Sequence, residues 1–226
     1  MIVRSRRIVL PDGVRPATIH IQDGTITRIG PYEDWNDKSR YDAGNLVVSP
    51  GIVDTHVHIN EPGRADWEGF DTATRAAAAG GVTTVVDMPL NSVPATTTAA
   101  ALEAKRTAAR GQCHVDVAFW GGVVPGNAAH LEELVEAGVR GFKCFLVPSG
   151  VDEFPAVDGR DLREALPILS RRRVPLLVHA EAPALIRGGH SGPPLRPDGN
   201  RVGADLRVGP GSYASYLATR PPEAEV

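Results

Sequence analysis

The sequence predicts an α/β chain: a partial (β/α)8 barrel preceded by a small all-β portion. Three observations lead there. Residues 1–49 fall into short runs of alternating apolar and polar character, with a hairpin signal between two of them. From residue 47 onward, short apolar runs alternate with amphipathic stretches. A parallel strand pair needs a crossover, and an intervening helix supplies it, so this alternation predicts a parallel sheet or barrel. Finally, glycine follows each of the first three amphipathic stretches, where a helix ends most easily in a left-handed residue.

Taken in order, the β-like pieces are 2–10, 17–22, 25–30 and 45–49. Asp23-Gly24 separates the second from the third and is a two-residue hairpin turn signal. These pieces read as a small antiparallel sheet. Pro50-Gly51 is a turn, and the barrel strands follow at 52–58, 83–88, 115–120, 141–146 and 175–179. The first three helices are expected at 65–79 before Gly80-Gly81, 97–110 before Gly111, and 127–137 before Gly138, with Asn127 as an N-cap. A fourth, 161–172, contains Pro167, which lacks a backbone donor and should kink or shorten it. Residues 188–212 are rich in Gly and Pro and read as a long loop, and 213–226 read as the approach to a further helix.

Length limits this barrel. A complete one takes about 250 residues, whereas residues 47–226 supply 180. The expected organisation is therefore a β portion at 1–49 and an incomplete barrel of about five strands at 50–226, the N-terminal half of a longer protein. Composition excludes other classes. Hydrophobic residues are 42% and charged residues 23%, and the net charge of −3 without a basic run argues against nucleic acid as a partner. No apolar run is long enough to span a bilayer, and Met1-Ile2-Val3-Arg4-Ser5-Arg6-Arg7 lacks the apolar core of a signal peptide. With Cys113 and Cys144 as the only cysteines, a reduced, cytoplasmic protein is expected.

The chemistry-bearing residues sit at strand ends. His56 and His58 are two apart on a strand, so their imidazoles share one face and make half of a metal site. By themselves they fit equally well as polar strand-end residues bonded to backbone. Asp54 lies on the same face and is placed to orient His56 through a hydrogen bond. Lys143 lies near the end of an apolar strand, where an unpartnered ammonium is costly; it should be modified, neutral, paired or directed to the rim. Cys144 faces the other way and belongs to the core. His179 closes the last strand, followed by Ala180-Glu181, with Glu181 read as a supporting or loop residue. His20, His114, His130 and His190 lack ligand-like surroundings. Asn91 lies just beyond a strand end, where asparagine caps a turn or meets substrate.

Pro50-Gly51-Ile52-Val53-Asp54-Thr55-His56-Val57-His58 resembles the first-strand signature of the metal-dependent cyclic amidohydrolases. Asn60-Glu61-Pro62-Gly63-Arg64, with Trp67-Glu68-Gly69-Phe70 behind it, is more similar to the allantoinase branch than to dihydroorotases or dihydropyrimidinases. The resemblance implies a β-sandwich to which 1–49 contribute one part, and a metal-dependent hydrolase barrel. It also implies two divalent ions, zinc by donor chemistry, with His56 and His58 on one and His179 on the other. Carbamylated Lys143 would bridge them. Dihydroorotases carry an arginine where this chain has Asn60, which points to a neutral substrate such as allantoin, contacted by Asn60 and Asn91. The family's general-base aspartate and a further histidine ligand follow later strands and have no counterpart in this chain, so catalysis by the chain alone is not expected. The resemblance implies a homo-oligomer, a tetramer, for the longer form. Hydantoinase, dihydropyrimidinase or dihydroorotase activity, and a non-catalytic remnant or scaffold subunit, are the alternatives.

Overall fold

Asp23 and Gly24 both take positive φ, 50° and 76°, the backbone that a tight hairpin turn requires. They join strands β2 (Gly13–Gln22) and β3 (Thr25–Gly30) in a computed structural model that describes residues 1–35 and 40–181. The 188–212 loop, the 213–226 helix approach and His190 lie outside the described residues. Chain contacts divide the protein into two compact units, one ending at Ile52 and the other beginning at Val53.

In the first unit, β2 pairs antiparallel with both β3 and β1 (Ile2–Leu10). Two short strands, β4 (Arg40–Asp42) and β5 (Val47–Val48), join the free edge of β1 in parallel. The sheet is therefore mixed, not wholly antiparallel as its sequence suggests. The chain leaving β3 crosses to the opposite edge of the sheet before it pairs again, so it runs in the direction of β1. Ile2, Ile8, Ala17 and Ala43 are buried here.

The second unit alternates strand and helix. Strands β6 (Ile52–Val57), β7 (Val82–Asp87) and β8 (Asp116–Phe119) form one sheet; β9 (Gly121–Gly122), β10 (Phe142–Phe145) and β11 (Leu176–His179) form another. Trp120 links them. Its N–H donates to Asp87 O (2.9 Å), and the next N–H, of Gly121, donates to Gly141 O (2.9 Å). The Trp120 indole N–H also donates to Thr55 O (2.9 Å), across to β6. Pairing of β7 with β8 and of β10 with β9 and β11 is parallel.

Helices α1 (Phe70–Ala79), α2 (Ala99–Ala109), α3 (Leu131–Glu136) and α4 (Gly159–Arg172) alternate with these strands. Three of them depart from the sequence expectation. The first begins five residues late, because Glu61 caps it from a distance: its Oε2 accepts from Phe70 N–H (3.0 Å) and adds negative charge at the helix start. Before α3, Asn127 does not cap. Its side chain turns inward, accepting from Val124 N–H and donating to Thr97 O and Gly122 O, and a 3-10 turn at Ala128–His130 precedes the helix. In α4, Pro167 lies inside an unbroken helix that starts earlier than expected, at the Asp158 cap, whose Oδ1 accepts from Arg160 and Asp161 N–H.

Alternation along the strands sorts side chains into two cores. Val85, Phe119, Phe142 and Cys144 pack with Phe70, Leu102, Leu134 and Leu169 from the four helices. Val86, Met88, Trp120 and Phe154 make the second core, with Ala118, Phe145 and Leu177 against it. Gly121 is required where it is, since a Cβ there would lie 2.7 Å from the Phe142 ring.

Among the described residues, β6 and β11 are end strands, and Ile52 (58% exposed), Val53 (55%) and Val178 (38%) stand in solvent. Exposed apolar end strands drive pairing between chains. The isolated 226-residue chain should therefore self-associate at micromolar concentration, with a light-scattering mass above that of one chain, and Val53→Lys should reduce that mass. A monodisperse monomer across this range would contradict the expectation.

Candidate metal centre

The candidate residues lie along β6, β7, β10 and β11: His56 within β6, His58 and Asn91 past the ends of β6 and β7, Lys143 second in β10, and His179 last in β11. His56, in β6, and His58, one residue past its end, have ring centroids 5.3 Å apart. His58 is the more enclosed of the two. Burial, with the charges of His56, Lys105 and Lys143 adding to it, pushes its pKa down to about 4. Neutral imidazole is the form that binds metal. Asn91, with φ 73°, brings its Nδ2 to 3.4 Å from His58 Nδ1.

Lys143 is 7% exposed. Among the described residues its Nζ has no hydrogen bond or carboxylate partner, only the face of Phe145 at 4.8 Å. Burial holds its pKa below the ordinary lysine value. Cys144, facing the opposite core, is fully buried, and burial pushes its thiol up to about 11. His179 stacks on the other side chain of this face, Phe145, with centroids 5.0 Å apart and planes inclined by 15°. Its Nε2 lies 3.0 Å from Glu181 Oε1.

The structure thus brings His56 and Lys143 each within electrostatic reach of His58, and sets His179 beside Phe145. Among the described residues, no three His, Cys, Asp or Glu side chains converge on one metal position. Asp54 uses its carboxylate on backbone: Oδ1 accepts from His56 N–H (3.0 Å). Asn60 is buried with its Oδ1 unpartnered. The remaining histidines sit elsewhere: His20 beside Arg28 and Asp34, His114 on Asp71 (2.8 Å), His130 near Glu133.

Two features escape a reading by motif. Arg64 ties three loops above the strand ends: Nη1 donates to Asn91 O (2.7 Å) and to Glu153, and the guanidinium lies 5.0 Å from the Trp67 ring centroid. Lys105 and Asp87 form a fully buried ion pair (2.5 Å). Burial raises the Asp87 pKa to about 6, against the opposing pull of Lys105. The available signal is the stripe Ala101, Leu102, Lys105, Ala109, whose spacing buries one helix face and takes a lysine with it.

A neutral His58 beside His56 offers two imidazole donors of the kind that bind a divalent cation, whereas a protonated Lys143 offers no lone pair.

The chain is 46% identical to an allantoinase of Streptomyces avermitilis over all of its length, and 42% identical to the allantoinase of Arabidopsis thaliana over 97% of it. It covers 47% and 42% of those two proteins, so the chain spans about half the length of the curated relatives it matches. The L-hydantoinase of Arthrobacter aurescens superposes with a TM-score of 0.81 at 30% identity, over 99% of this chain and 47% of that one. A D-hydantoinase from Thermus sp. shares the fold, with a TM-score of 0.70 at 22% identity. The mixed α/β fold is thus that of the hydantoinase and amidohydrolase barrel enzymes, which are metal-dependent. Residues 47–187 match the model of the Amidohydrolase family, and the chain belongs to that family.

Proposed function

We propose that this chain carries the metal-binding part of a cyclic amide hydrolase that opens the hydantoin ring of allantoin to give allantoate. The observation that carries the metal reading is Lys143, buried and, among the described residues, without a counter-charge on the face it shares with Phe145. His56 and His58 would hold one divalent ion, zinc by donor chemistry, His179 would serve a second, and carbamylated Lys143 would bridge them. When bound, such ions acidify water and polarise the amide carbonyl. In the reaction, water adds to the ring carbonyl, the C–N bond breaks, and a proton passes to the departing nitrogen.

The chain's own residues prepare that chemistry. Burial keeps His58 neutral, Asn91 approaches its Nδ1, and Arg64 fixes the Asn91 backbone. Asn60, buried beyond His58 with a free Oδ1, offers an amide group to a neutral ring. We also infer that β6 to β11 are the first five strands of a (β/α)8 barrel, with β8 and β9 counted as one. The sheet of residues 1–52 would belong to a β-sandwich. Two free cysteines fit a reducing, cytoplasmic setting.

Competitive turnover tests the substrate. A catalytically active protein carrying this chain should hydrolyse allantoin faster than dihydroorotate, whose carboxylate would meet Asn60 with no fixed positive charge. Faster turnover of dihydroorotate overturns the allantoin assignment. Preference for an unsubstituted hydantoin or dihydropyrimidine would move it to the hydantoinases, whose fold it shares.

A further inference from the structure

The segment that presents His58 is fastened on both sides to one point of β7. Before it, Val57 O accepts from Met88 N–H (2.8 Å). After it, Ile59 N–H donates to Asp87 Oδ1 (2.6 Å). The other carboxylate oxygen of Asp87 accepts from Lys105 Nζ (2.5 Å), and the same ammonium donates to Met88 O (3.0 Å). Both side chains are fully buried. Lys105 comes from α2, outside the strands, and reaches the end of β7 from the helix layer.

We propose that Lys105 and Asp87 are positioning residues for His58: the pair locks the backbone on either side of this imidazole into one place. This rests on reading His58 as a metal donor. A buried ion pair is a poor route to stability, since an apolar pair of similar volume commonly does as well or better. What it supplies is direction. A carboxylate accepting a charge-assisted hydrogen bond on each oxygen has little freedom to rotate, so the Ile59 N–H has one fixed acceptor. Ile59 is itself fully buried, so no water competes for that N–H. Metal donors held by such supporting bonds lose affinity when the support goes, by roughly 10–100-fold.

The test uses a catalytically active protein carrying this chain, stripped of bound metal, with Co2+ as the probe metal. Binding is followed through its visible absorption, the Ile59 amide through hydrogen exchange, and folding through thermal unfolding. Lys105→Met leaves the carboxylate buried without its partner. The double variant Asp87→Asn/Lys105→Met leaves no buried charge and keeps an amide oxygen for the Ile59 N–H. For Lys105→Met we expect Ile59 exchange to speed up about tenfold or more relative to the amides of β10, and Co2+ affinity to fall about 10–100-fold. The double variant should return both to within about threefold of the parent.

A folded Lys105→Met chain with unchanged Ile59 exchange overturns the proposal. So does a double variant that regains thermal stability but not Ile59 protection, or one that fails to fold, since the pair would then serve stability alone. If the parent protein shows no Co2+ spectrum, the metal reading of His58 fails, and the exchange comparison still decides whether the pair holds the segment.

Discussion

Lys143→Ala, in a catalytically active protein carrying this chain, should lower cyclic amide hydrolysis on the order of 10³-fold or more, with loss of bound metal. Bridging donors hold ions whose polarising effect is worth several kcal/mol, and about 1.4 kcal/mol corresponds to a factor of ten. Stability should move the other way only when both proteins are compared free of metal, since bound ions themselves stabilise the loaded parent. Lys143 is buried, and among the described residues its Nζ meets an aromatic face and no counter-charge. Removing it takes an unpaired ammonium out of a poorly solvating place. The expected signature is therefore a collapse of activity and of metal content by elemental analysis, with an unfolding midpoint that, measured with both proteins free of metal, holds or rises. Activity within about tenfold of the parent, with full metal content, would remove Lys143 from the site.

Phe142→Ala should cost about 3–5 kcal/mol of stability, a large share of the roughly 5–15 kcal/mol that holds a domain together. Phe142 is fully buried, and it fills the space that Gly121 leaves open by lacking a Cβ. Truncation would empty that space, and the neighbouring backbone, paired to β9 and β11, has little freedom to collapse into it. The converse substitution, Gly121→Ala, overfills the same place and should cost about 1–3 kcal/mol. Denaturant titration of both variants measures this. A loss under about 1 kcal/mol for Phe142→Ala would mean that the strand relaxes around the cavity.

Much of this architecture is legible in the sequence, for identifiable reasons. Apolar runs and helix-ending glycines report local backbone preference, and β6, β7, β10 and β11 lie within a residue or two of where those signals place them. Asp23-Gly24 also acts locally, and its turn forms as expected. What escapes is set by partners distant in sequence. The start of α1 depends on Glu61. The side chain of Asn127 is drawn to Thr97 O, thirty residues away. Pro167 is tolerated in a helix that the rest of the chain supports. The same holds at the site. His56 and His58 are found because two residues on one strand must share a face, and Lys143 because it interrupts an apolar run. Lys105 and Asp87 are eighteen residues apart on a helix and a strand, and only the fold makes them a pair. Asp54 shares the expected face with His56 but bonds its backbone N–H, a choice that spacing does not determine.

The indole of Trp120 carries a consequence for observation by light. Among the three tryptophans, Trp67 is largely exposed (56%) and Trp35 lies 4.2 Å from the Arg4 guanidinium in the first unit, whereas Trp120 is almost wholly enclosed (7%). Its N–H is bonded to the carbonyl of Thr55, the residue immediately before His56. An enclosed indole fluoresces at shorter wavelength than a hydrated one, so the blue edge of the emission spectrum belongs to Trp120. That edge is a built-in optical gauge of the first histidine strand: whenever residue 55 leaves its seat, the colour of the protein's fluorescence shifts toward the red.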